Sequence, residues 1–93
     1  MSYATEYALA QDQDFVKRVT AAVVAAAIAI AAESPETANH ARRANKAGDV
    51  VANPGHWGLV MALGVAAGGT VTAESTDQEI YDRISAIWGA YAS

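Results

Sequence analysis

The sequence predicts an all-α protein, a compact four-helix domain preceded by an N-terminal arm or short helix. Three observations carry that expectation. An uninterrupted apolar run at residues 21–32 is built almost wholly from alanine, the best helix former. Ser34-Pro35 and Asn53-Pro54 each pair a capping side chain with a proline where a first helical residue stands. Ile80, Ile84, Ile87, Trp88 and Tyr91 fall at i, i+4, i+7, i+8 and i+11, the stripe of a helix with one buried face.

The elements follow in order. Residues 1–11 form the arm, in which Tyr3 and Tyr7 stand four apart, with Leu9, as one aromatic edge. The rest, residues 12–93, form a single helical domain. Asp12 or Asp14 starts helix one, expected at about 14–33, by accepting its first orphan N–H groups. Pro35 opens helix two, about 35–52, whose small face is Thr37, Ala41, Ala44, Gly48 and Val51, with Arg42, Arg43, Lys46 and Asp49 on the other side. Pro54 opens helix three, about 54–67, with Gly64 and Gly68 at a close-packing spacing and Gly68-Gly69 as the left-handed stop. Thr70-Val71-Thr72 leans towards β but is too short for a sheet. Ser75 with Gln78, or Thr76 with Glu79, makes a capping box for helix four, about 76–92, where Glu79 and Arg83 stand as an i,i+4 pair.

Helix one is apolar on every side, and a helix of that kind must be covered on every side. A 93-residue chain offers few neighbours, so other copies are expected to supply some of the cover. Small-residue faces recur in helices one, two and three, letting backbones approach closely.

Composition narrows the function classes. Hydrophobic residues make up 53% and charged residues 17%, far from the disordered regime. A formal charge of −4, ten carboxylates against six Lys and Arg, repels phosphate, so no direct nucleic-acid ligand is expected. The absence of cysteine removes disulfides and thiolate metal sites. Lys17 and Arg18 before the apolar run, with Ala29-Ile30-Ala31 inside it, imitate a signal peptide. The charged pair nevertheless lies too far into the chain and follows Glu6, Asp12 and Asp14. A membrane span needs about 20 apolar residues; the runs at 21–32 and 57–69 are shorter, so no membrane partner is expected.

The inventory for chemistry is thin. His40 and His56 do not share a one-turn spacing, no serine sits in a nucleophile elbow, and no Lys-Ser/Thr follows the glycines at 64–69. Asp12-Gln13-Asp14 opens like a calcium loop but lacks its glycine and closing glutamate. Glu74, Asp77, Glu79 and Asp82 gather at the start of helix four, where capping and the helix dipole account for them. The expectation is no catalytic residue, no metal and no cofactor. Arg42, Arg43 and Lys46, beside His40, form the one basic patch, a solvated face, an ion-pairing surface for an acidic partner or a neighbouring copy, or, ranked last, a contact for nucleic-acid backbone. The residues expected to contact partners are Tyr3, Tyr7, Arg42, Arg43, Lys46, Trp88 and Tyr91.

Taken together, Asp14-Phe15-Val16-Lys17-Arg18-Val19, Asn39-His40-Ala41-Arg42-Arg43-Ala44, Asn53-Pro54, the Gly-Gly-Thr-Val-Thr loop, Thr76-Asp77-Gln78-Glu79-Ile80 and Ile87-Trp88-Gly89-Ala90-Tyr91 carry a resemblance. The chain from Asp12 onwards resembles small helical structural proteins of tailed bacteriophage virions, of the head or head–tail junction type. The resemblance implies a non-enzymatic building block in many copies, part of the head–tail connector or neck, or of the head. Its partners would be copies of itself and other virion proteins (portal, neck or major capsid protein), and its location a virion assembled in the host cytoplasm. The alternatives are a capsid decoration or minor capsid protein, or a soluble helical adaptor for an acidic partner. A membrane-active hairpin of holin type ranks behind these.

Overall fold

In a computed structural model, residues 9–32 and 40–92 are described, together with the side chains of 9–32 and 41–89. The fold is all-α. The helices with defined bounds are α1 (Gln13–Ala32), α2 (His40–Ala52), α3 (Pro54–Gly68) and α4 (Asp77–Ala92). Residues 9–11 are also helical, so the chain is already coiled before α1. Tyr3, Tyr7 and the expected helix start at Ser34-Pro35 lie outside the described residues.

The helix ends show how local chemistry sets the boundaries. Asp12, not Asp14, caps α1: its Oδ1 accepts the N–H groups of Asp14 at 3.0 Å and Phe15 at 3.1 Å. At α4 the capping box forms between Thr76 and Glu79. The Glu79 N–H donates to Thr76 Oγ1 at 3.1 Å, and the Thr76 N–H donates to Glu79 Oε1 at 2.8 Å. Ser75, the other expected cap, instead accepts the Thr72 N–H at 2.9 Å and closes the preceding turn. The α3 stop is Gly69, at φ 72°, whose N–H reaches the carbonyls of Val65 and Ala66.

Asn53 departs from expectation. It makes no side-chain cap for α3. Its Nδ2 turns back to the Asp49 carbonyl at 3.2 Å and Asp49 Oδ1 at 3.1 Å, while Pro54 starts the next helix without needing a donor. The chain bends by 101° between α2 and α3 at this residue.

Everything packs on α1. The other three helices each lie against it and touch one another only sparsely. Its core face is Phe15, Val19, Ala22, Val23, Ala26, Ala27 and Ile30. The opposite stripe, Ala21, Ala25, Ile28 and Ala32, is exposed. Helix one is therefore central but not enclosed. Counted from Gln13 it has 20 residues and is long and apolar enough to cross a membrane, beyond the length expected from the uncharged run alone. Here its apolar side supplies the core.

Opposite α1, α4 contributes Ile80, Ile84 and Trp88, all fully buried. Val71 turns inward from the loop and closes the core at 3% exposure, the structural use of the β-leaning segment. Arg18 ties that loop to α1. Its Nε donates to Asp77 Oδ1 at 2.7 Å, Nη1 to the Ala73 carbonyl at 3.2 Å, and Nη2 to the Ser75 carbonyl. A residue that looked like part of a signal-peptide flank is thus the tether of the α3–α4 loop.

The inner face of α2 is turned from the expected one, although Arg42 and Asp49 are exposed as expected and Thr37 lies outside the described residues. Ala41, Ala44, Gly48 and Val51 are exposed, whereas Ala47 and Val50 are buried and Arg43 and Lys46 half-buried. Long aliphatic stems allow a cationic residue to lie along apolar surface with its charge at the edge. Val50 outweighs Val51 in the choice of face because it belongs to the α1 core cluster.

The exposed Glu79 carboxyl has its titration shifted downward. The Thr76 N–H, and secondarily its hydroxyl, hold it below the usual glutamate range. A depressed carboxylate stabilises the fold fully above its unfolded value and loses that contribution as pH falls through the folded value. Glu79 is expected to titrate below the ordinary glutamate value in a side-chain carboxyl NMR titration. Thr76→Ala should lower stability by about 1 kcal/mol and raise the Glu79 midpoint only in part, since the backbone donor remains.

Candidate interaction surface

Helix α3 contains no Asp, Glu, Lys or Arg, and it is apolar on every side. A helix of that composition belongs inside a core or against a partner. Only one side is covered: Gly58, Met61, Ala62, Val65 and Ala66 face the bundle. On the other, Leu59, Val60 and Leu63 are 49%, 43% and 46% exposed. His56 and Ala67 are exposed on the same side, so the outer face follows the spacing i, i+3, i+4, i+7, i+11 of a helical seam. Covering these three half-exposed side chains would contribute about 1 kcal/mol each.

The seam is held rigidly. Gly58 lies so close to α1 that an added Cβ would stand 2.8 Å from Thr20 Cβ and 3.1 Å from Thr20 Cα. This is the close approach that the sequence placed at Gly64 and Gly68. Gly64 faces open space, with nothing within 4 Å of an added Cβ. At the N-terminal end, Trp57 Nε1 donates to Asp49 Oδ2 at 2.6 Å, and the Trp57 ring meets Trp88 edge-on at 5.7 Å and 75°. His56 stacks edge-on against Trp57 at 5.5 Å. The outer face is thus fixed to α2, α1 and α4 through the residues behind it.

A second open region runs along the outside of α1. A surface groove of about 460 Å³ between α1 and α4 is lined by Ala21, Ala22 and Ala25 together with Lys17, the Arg18–Asp77 pair, Gln78 and Tyr81. A further depression of about 650 Å³ lies between the start of α1 and α3, lined by Ala10, Gln13, Val16, Lys17 and Leu59. Both are open to solvent and mainly apolar.

The residues expected to contact partners are dispersed. Arg42 is exposed, Arg43 and Lys46 are half-buried, and the buried Nε of Arg43 has no hydrogen-bond partner among the described residues. Trp88 lies in the core at 0% exposure, so it supports the surface from behind and is not presented at it. The Tyr91 side chain, with Tyr3 and Tyr7, falls outside what is described. Sequence reading missed Leu59, Val60 and Leu63. Their signal was present in the absence of any charge between Asp49 and Glu74, but it did not say which side of the helix would be left open.

Among the described residues no group of three His, Cys, Asp or Glu is placed to hold a metal ion. No known protein family matches the chain, no curated protein matches it, and no solved structure matches its fold.

Proposed function

We propose that this chain is a non-enzymatic structural subunit that works in many copies, its outer α3 face closed by protein in the assembled state. One observation carries the reading: an uncharged helix, anchored by Gly58 and Trp57, holds Leu59, Val60 and Leu63 half-exposed in a row. Contiguous exposed apolar surface of this kind marks an interaction site. The setting we favour is the virion of a tailed bacteriophage, as a component of the head–tail connector or neck, or of the head; the support for that setting is the resemblance in sequence.

The chain should then be found, in many copies, by mass spectrometry of purified particles encoded by the same genome, and its absence from such particles would remove the virion role. The competing reading, a soluble adaptor taking an acidic partner on Arg42, Arg43 and Lys46, is weakened by the half-burial of Arg43 and Lys46. Replacing the exposed Arg42 by glutamate should leave assembly of the chain intact if the α3 face drives it.

A further inference from the structure

We draw no further inference here: the strongest candidate, the open apolar patch of Leu59, Val60 and Leu63 on the outer side of α3, belongs to the interaction surface already described, and nothing in the structure shows what covers it.

Discussion

Replacing Trp88 with alanine should cost about 3–5 kcal/mol and bring the chain close to unfolding. A domain of this size has roughly 5–14 kcal/mol of stability at 0.05–0.15 kcal/mol per residue. Trp88 is the largest fully buried side chain among the described residues, it lies in the cluster formed with α1, and its ring meets Trp57 edge-on. Its loss opens a cavity beside Trp57 in the core cluster that α1 centres. Denaturant titration followed by far-ultraviolet circular dichroism measures the effect, and Trp88→Phe should recover much of it. Since Trp57 carries the start of α3, the Trp88→Ala variant should also lose self-association before it loses all helix.

The second large effect is a reversal of sign between two glycines of one helix. Gly64→Ala should stabilise the monomer by up to about 1 kcal/mol, because alanine is the better helix former and open space receives the methyl group. Gly58→Ala gains the same propensity but forces its Cβ onto Thr20, including the backbone Cα at 3.1 Å, which the neighbouring helix cannot relieve by a rotamer change. Overpacking of this kind costs about 1–3 kcal/mol, so the net change should be destabilising. The pair is read in parallel denaturant titrations. Equal, stabilising effects at both positions would mean that α3 does not press on α1 at Gly58.

What the sequence revealed was local. Thr76 and Glu79, three apart, and Gly69 after the last turn of α3 specify their helix ends within a few residues, and these ends lie where the pattern placed them. The stripe Ile80, Ile84 and Trp88 was equally legible, because α4 has polar residues elsewhere and only one way to face a core. Legibility failed where a choice depended on distant residues. In α2 the small-residue face was expected inward, but Val50 and the stems of Arg43 and Lys46 took that place, since a cation with a long stem is compatible with either side. In α1 and α3 apolar residues occur all round, so periodicity could not say which half would be left in the open. Gly58 resembled any other glycine in an alanine-rich chain until Thr20 was found opposite it. Arg18 had no local sign of the three acceptors that it gathers from the α3–α4 loop.

The uncovered half of α3 is also where stability and assembly meet. The monomer leaves Leu59, Val60 and Leu63 in water, together with Val51 at 50% and Ile28 at 53% exposure, and this apolar surface raises its free energy relative to any state that covers it. Thermal stability should therefore rise with protein concentration, as mass action requires of a fold completed by its own copies.

Sedimentation velocity of the purified wild-type chain over a wide concentration range tests the central claim most directly. The account requires a mass that grows with concentration beyond that of one copy and returns to that of one copy in Leu63→Glu. A wild-type chain that sediments as a single copy throughout, with Leu59, Val60 and Leu63 remaining in solvent, would contradict it.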